Sequence, residues 1–242
     1  MQALVDAKVD AIVIKPVGDS AAVAPAVIEA RKACIPVLTE SRYFEPTQAV
    51  PGVDVLAHVG TDSVEQSQAL ANWLIKATHG KATILEIEGA PGSSSAVGRK
   101  KGFDGVIASQ SGMKIVASKS ANFDRTTAHE VAKQLLTEFP TATVIYTAND
   151  GMALGALAAT KDARKTPGKD ILIVSIDGYK EAVSHVIDGS IAAIAFNSPR
   201  LAAVSFDTIE KYAAGERIPE RVVVKGPIID ISNAAAMLAD AF

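Results

Sequence analysis

Five short runs of apolar, mostly β-branched residues recur along this chain of 242 residues, and each ends in polar, glycine or proline residues before a helical segment. The runs are residues 11–16 (AIVIKP), 83–92 (TILEIEGAPG), 114–124 (KIVASKSANFD), 143–150 (TVIYTAND) and 171–178 (ILIVSIDG). Continuous apolar runs that alternate with helices are typical of parallel strands buried on both faces. The sequence therefore predicts an α/β protein with doubly wound parallel sheets.

Helices are predicted between these strands from the spacing of their apolar residues. They cover residues 63–78, 125–139 and 152–161, of which the first opens with the Ser-x-x-Gln spacing of a capping box and the second stops before Pro140. Residues 1–16 are predicted to be the last turns of a helix that runs into a strand.

Three passages lack a helical pattern, namely residues 38–62, 193–203 and 216–230. Non-helical passages at these places suit a chain that passes several times between two lobes. We therefore predict a first lobe formed by residues 1–60 plus 198–242, and a second lobe formed by residues 61–197.

Composition narrows the class of protein further. The net charge is −3 and no basic block is present, which argues against a nucleic-acid partner. The single cysteine, Cys34, excludes an intramolecular disulfide, and its apolar neighbours predict a buried thiol. No apolar run reaches the roughly 18 residues that a membrane span needs.

Catalytic and cofactor motifs are absent from the sequence. Residues 89–102 (GAPGSSSAVGRKKG) open a helix with glycines and serines, but they lack the G-x-G-x-x-G spacing and the Walker sequence. The four histidines are scattered without metal-ligand spacing, and no G-x-S-x-G elbow occurs. The sequence therefore predicts neither an enzyme, nor a cofactor, nor a metal site.

Polar residues at the ends of the predicted strands match a neutral, polyhydroxylated ligand. In an open parallel sheet, ligands bind beyond the carboxyl ends of the strands. Arg99, Phe123, Asn149 and Asp177 follow successive strands and supply a forked donor, an aromatic face, a carboxamide and a carboxylate. Asn149 and Asp177 could instead be turn residues, and Phe123 could be a core residue. From the residues alone, both interpretations stay open.

At these residues the sequence resembles the solute-binding proteins of bacterial ABC sugar importers, of the ribose and galactofuranose type. The resemblance runs over nearly the whole chain, through VDAIVIKPVGDSAAVAPAVIEARKACIPVLTESR, VGTD, GSSSAVGRKKGF, SANFDRTTAHEV, TANDGMALGALAA, GKDILIVSIDGYKEAVSHVIDG and IPERVVVKGPIID. It implies the type I periplasmic-binding-protein fold, with two Rossmann-like lobes that close over a monosaccharide. It also implies a periplasmic location and delivery of the sugar to the membrane subunits of an ABC importer.

The resemblance assigns roles to individual positions. It implies ligand contacts by Arg42 in the first lobe, and by Arg99, Phe123, Asn149 and Asp177 in the second. Asp150 is then expected to cap the helix beside Asn149.

Two departures from the family concern the ligand contacts. Ser41 stands before Arg42 where the family usually has aspartate, with Glu40 one position earlier, so the identity of the sugar is left open. At the last crossing, where the family often has Gln or Glu, Phe196 or Asn197 fills the place. We include Ser41, Phe196 and Asn197 among the expected ligand contacts.

Compared with the family, the chain starts late. A signal peptide and a βαβ unit of roughly 50 residues with its loops would precede it in the family. We therefore expect an incomplete N-terminal lobe, weakened sugar binding, and self-association through an unpaired strand edge at residues 11–15.

The alternative is the effector-binding core of a lactose-repressor-like transcription regulator, which shares the two-lobe fold. Such a chain normally carries an N-terminal helix-turn-helix and a hinge helix. The segments RKKGF and ANFDR favour the importer proteins.

Overall fold

A computed structural model describes residues 1–16 and 20–242 of the chain. The helices are α1 (Gln2–Asp6), α2 (Ser20–Lys32), α3 (Ser63–Ala77), α4 (Ser94–Ile107), α5 (Arg125–Glu138), α6 (Asp150–Asp162), α7 (Lys180–Ile187), α8 (Ala202–Ala213) and α9 (Ala234–Met237). The strands are β1 (Ile12–Ile14), β2 (Val37–Glu40), β3 (Ala57–Gly60), β4 (Ala82–Glu88), β5 (Met113–Ser120), β6 (Val144–Thr147), β7 (Leu172–Asp177), β8 (Ala193–Phe196), β9 (Arg221–Val223) and β10 (Ile228–Asp230).

The chain divides into two compact units. The first unit comprises residues 1–62, 92–95 and 199–224, and the second comprises residues 63–91, 96–198 and 225–242. The sequence assigned residues 225–242 to the first lobe. In the structure they belong to the second unit, because β10 pairs with β8.

Each unit is built on its own sheet. The first sheet has the strand order β1-β2-β3-β9, and all its pairs are parallel. The second sheet has the order β10-β8-β7-β6-β4-β5, in which only the β10–β8 pair is antiparallel among the described strands. The predicted parallel α/β architecture is confirmed, with one antiparallel edge strand added to it.

Side-chain alternation explains how the second sheet is buried on both faces. Leu85 and Ile145 point into an apolar cluster that includes residues of α5 and α6. Ile84 and Tyr146, one residue away along the same strands, point into a second cluster with residues of α3 and α4. There Tyr146 stacks on Phe103 at 3.8 Å between ring centroids. Two apolar faces of this kind require helices on both sides of the sheet.

The predicted helices agree with α3, α5 and α6 to within two residues at each end. Residues 193–203 were predicted to be irregular, and this is wrong for Ala193–Phe196, which form β8. Pairing with β7 on one side and β10 on the other fixes this short run as a strand.

Cys34 is exposed, which contradicts the predicted buried thiol. The residue lies just beyond the end of α2 with φ of +60°. Its amide donates to the carbonyl of Arg31, and the amide of Ile35 donates to the carbonyl of Ala30. These two bonds form a Schellman turn, which places the side chain of its left-handed residue outside the helix packing.

Candidate functional site

Polar groups converge at the carboxyl ends of β6, β7 and β8 in the second unit. Arg99, from the second turn of α4, donates from Nη2 to Oδ1 of Asp177 at 2.9 Å and from Nη1 to the carbonyl of Ala148. Asn197, just after β8, donates from Nδ2 to the same Asp177 oxygen at 3.2 Å. The structure therefore brings together Arg99, Asp177 and Asn197, three of the predicted site residues.

The guanidinium of Arg99 is only partly satisfied by the protein. The residue is 5 % exposed, and its Nε has no hydrogen-bond partner in the described part of the chain. Buried donors almost always have a partner, so an orphaned one calls for an explanation. A ligand hydroxyl that accepts from Nε would supply it.

An unfavourable backbone conformation aims Asp177 at Arg99. Asp177 has φ of +140° and Gly178 has φ of +126°, both in the region that side chains disfavour. A Cβ on residue 178 would lie 2.4 Å from the ring of Phe196, so only glycine fits there. Phe196 is thus packed against Gly178, whereas Asn197 reaches the polar cluster.

Asn149 takes the helix-capping role that the sequence predicted for Asp150. Asn149 is the N-cap of α6, and its Oδ1 accepts from the amide of Met152 at 2.9 Å. The prediction that Asp150 caps the helix is therefore wrong, because its carboxylate turns towards β7 instead. Asn149 still follows Ala148, whose carbonyl accepts from Arg99, so its carboxamide nitrogen lies at the same strand end.

Phe123 lies at the neighbouring strand ends, against the glycine that follows β4. A Cβ on Gly89 would lie 2.2 Å from the Phe123 ring. Asn122 and Phe123 both have left-handed backbones, with φ of +54° and +62°. Such a conformation is uncommon for asparagine and rare for a bulky aromatic residue, and it often marks a functional site. Here it turns the ring over the carboxyl end of β4.

The predicted contacts in the first unit follow β2. Ser41 has φ of +62°, and its amide donates to the carbonyl of Val59 at 2.9 Å. Arg42 is half-buried beside it. Glu40 accepts from the hydroxyl of Ser205 at 2.6 Å, so this carboxylate is tied to α8.

A cavity of about 130 Å³ lies in the first unit beside His58. Its lining is mostly apolar and includes Phe44, Pro46, Ala49, Pro51 and Val55. His58 is buried, and its Nδ1 lies 3.0 Å from Oγ1 of Thr39. Burial, followed by the positive charge of Arg221, lowers the pKa of His58 to about 4. The remaining lining residues are polar or amphipathic, namely Thr39, Tyr43, Glu220 and Arg221.

A second charged cluster surrounds Lys100, one residue after Arg99. Its ammonium contacts the carboxylates of Glu86, Glu88 and Asp104. Burial raises the pKa of Glu86 to about 6 despite the lysine beside it. Sequence reasoning missed this cluster, although Glu86 and Glu88 stand out as charges within the apolar run of β4.

Within residues 1–16 and 20–242, no group of three or more histidine, cysteine, aspartate or glutamate side chains is arranged to bind a metal ion. Among the helices that these residues form, none has the length and apolar character needed to cross a membrane.

Comparison with known proteins adds independent information. The family described as "Periplasmic binding protein domain" matches residues 1–217. The galactofuranose-binding protein of Escherichia coli is 33 % identical over 220 residues, which are 89 % of this chain and 68 % of that protein. A ribose import binding protein of Salmonella typhimurium is 34 % identical over 85 % of this chain and 67 % of its own length.

A solved structure is similar over nearly the whole chain. It is the periplasmic binding component of an arabinose ABC transporter from Shewanella sp. ANA-3, bound to L-arabinofuranose. The TM-score is 0.89 at 32 % identity, and the match covers 98 % of this chain and 78 % of the other.

Proposed function

Because this chain belongs to the periplasmic binding protein domain family, we propose that it reversibly binds a simple sugar, a pentose or a hexose, for delivery to an ABC importer. The named relatives bind galactofuranose and ribose, and the similar solved structure holds arabinofuranose. The proposed location is the periplasm, where the family acts, and the proposed partners are the membrane subunits of the importer.

The observation that supports the proposal most directly is the buried Nε of Arg99, which has no protein partner within the described residues. Next to it, Oδ1 of Asp177 accepts from Arg99 and from Asn197. Oδ2 of Asp177 accepts no hydrogen bond from the residues that the structure describes. One donor and one acceptor side by side match a sugar hydroxyl, which both donates and accepts.

Asn149 and Phe123 extend this surface along the ends of neighbouring strands. The cap bond occupies Oδ1 of Asn149, and its Nδ2 can donate to a second hydroxyl. The ring of Phe123 can cover the C–H face of a sugar ring. Ser41, Arg42, Phe196 and Asn197 stay predicted ligand contacts, and self-association through the edge of β1 stays a prediction that light scattering can test.

Isothermal titration calorimetry with a panel of pentoses and hexoses tests the function. We expect one sugar at least to bind with a stoichiometry of one. Asp177→Asn should weaken that binding by about 10-fold or more, because it removes a charged acceptor. Asp188→Asn, on an exposed turn of the same unit, is the matched control and should bind like the wild type. Failure of every sugar in the panel to bind would refute the proposal.

A further inference from the structure

Asp150 is a completely buried carboxylate that sugar binding, as proposed above, does not use directly. It is the first residue of α6, where a carboxylate would ordinarily accept from the free amides of its own helix. Asn149 already makes the cap bond, and the oxygens of Asp150 point elsewhere. Its position therefore needs another explanation.

Both oxygens of Asp150 bind the segment that carries Asp177. Oδ2 accepts from the amide of Gly178 at 2.6 Å and from the amide of Tyr179 at 2.8 Å. Oδ1 accepts from the hydroxyl of Ser175, in the middle of β7. One side chain thus binds the backbone just after Asp177 and a side chain two residues before it.

The segment between these anchors is the part of the site with the least favourable backbone. Asp177 and Gly178 both have φ in the left-handed region, which for aspartate persists only where the surroundings impose it. In that conformation Oδ1 of Asp177 meets Arg99 and Asn197. A relaxed turn would move the carboxylate away from both.

We infer that Asp150 is a positioning residue, which holds Asp177 in sugar-binding orientation through the amides of Gly178 and Tyr179. This inference rests on the proposed sugar binding at Asp177. The neighbouring contacts explain why the role is local. The amide of Asn197 donates to the Asp177 carbonyl at 2.6 Å, and the ring of Phe196 packs on Gly178, so contacts other than those of Asp150 also hold the strand end.

The electrostatics are consistent with a role in recognition. Burial, followed by the charge of Asp177, raises the pKa of Asp150 to about 7. Among the described residues, the hydrogen-bond partners of Asp150 are uncharged: two backbone amides and one hydroxyl. A buried carboxylate without a cation beside it adds little to folding stability.

Asp150→Asn tests the inference, because it keeps the shape of the side chain and turns one acceptor into a donor. We expect sugar binding to weaken by about 10-fold, the usual cost of losing a charge-assisted hydrogen bond. The matched control is Asp170→Asn, since Asp170 also accepts from a backbone amide (Thr166, 2.6 Å) but lies on an exposed turn. That control should bind like the wild type.

A double-mutant comparison separates positioning from general destabilisation. In an Asp177→Asn background, Asp150→Asn should weaken binding by less than about 2-fold, because its effect passes through Asp177. In a Phe123→Leu background it should keep its full effect. Equal effects in both backgrounds, or unchanged binding by Asp150→Asn alone, would overturn the inference.

Two further measurements keep the test decisive. If Asp150→Asn does not fold, Ser175→Ala removes one bond to the same carboxylate and should weaken binding by about 3-fold; unchanged binding would count against the inference. If the wild type binds no sugar, the proposed function fails. Amide hydrogen exchange then tests whether Asp150 positions the Asp177 segment. Asp150→Asn should speed exchange at Gly178 and Tyr179 but not at Asn197, and unchanged exchange at all three would overturn the positioning role.

Discussion

The two sheets differ in the kind of polar group that they bury. The second unit buries acidic side chains: Asp150 is fully enclosed, and Asp177 pairs with the buried Arg99. The first unit buries His58, whose lowered pKa leaves it neutral at pH 7. A buried ion pair adds little net stability, and breaking it is costly. The Arg99–Asp177 pair of the second unit is therefore better explained by ligand recognition, whereas His58 is compatible with a purely structural role.

Among the substitutions that test this difference between the units, Arg99→Ala should have the largest effect. We expect sugar binding to fall by about 100-fold or more, because the forked donor of the site is lost. We also expect the second unit to lose about 3 kcal/mol of unfolding free energy, because the mostly buried carboxylate of Asp177 is left without its cation.

Calorimetry measures the first effect, and urea unfolding measures the second. Trp73, the single tryptophan, lies in α3 and reports on the second unit. Arg221→Ala in the first unit is the control, since this half-exposed guanidinium lies over the Tyr43 ring at 5.5 Å and should contribute less than about 1 kcal/mol. Equal losses in the two variants would remove the distinction between the units.

The two units should also respond to pH in opposite directions. His58 has a pKa near 4 when folded and about 6.5 when unfolded, so the unfolded chain binds the proton first as the pH falls. The first unit should therefore lose up to about 3 kcal/mol of unfolding free energy between pH 6.5 and 4.

Asp150 and Glu86 have raised pKa values, near 7 and 6, so the folded second unit holds protons that the unfolded chain releases. Its stability should decrease as the pH rises from about 4 to 7.

Hydrogen exchange followed by mass spectrometry, corrected for the intrinsic rate at each pH, measures the two units separately. His58→Gln should flatten the pH response of the first unit and leave the second unchanged. Glu86→Gln should reduce the response of the second unit by about 2 kcal/mol. A common direction of change in both units would show that buried titratable groups do not govern the response.

The contrast also bears on what the sequence could predict. Strands β4, β6 and β7 were predictable because each is an apolar, largely β-branched run that is buried on both faces. Strand β5 lies at the edge of the sheet and is mostly half-buried, yet its apolar residues 115–117 still indicated a strand. Arg99 and Asp177 were predictable together because the segments that follow parallel strands meet at a common edge of the sheet. Asn197 was predicted only from the family resemblance, as an alternative to Phe196. The apolar neighbours of Cys34 led to the wrong prediction of a buried thiol, because a Schellman turn places its side chain outside the helix packing.

The capping of α6 by Asn149 instead of Asp150 was not predictable in the same way. Both residue types cap helices, and both occur in turns. The choice depends on the distant amides of Gly178 and Tyr179, which only the β6–β7 pairing brings to Asp150. β8 was missed for a related reason, because a run of four residues carries too little periodicity until its two neighbours fix it.

The smallest expected effect concerns a feature that the two units share. Cys34 in the first unit and Arg164 in the second both occupy the left-handed position of a Schellman turn, with φ of +60° and +57°. Glycine is favoured there, as at Gly215 after α8, which has φ of +83°. Cys34→Gly and Arg164→Gly should each stabilise their unit by about 0.5–1 kcal/mol, and Gly215→Ala should destabilise the first unit by about 1 kcal/mol. Chemical denaturation of the three variants measures these shifts. Similar gains in the two units are expected because the strain is local to the turn, and a gain in one unit alone would show that packing around the turn contributes as well.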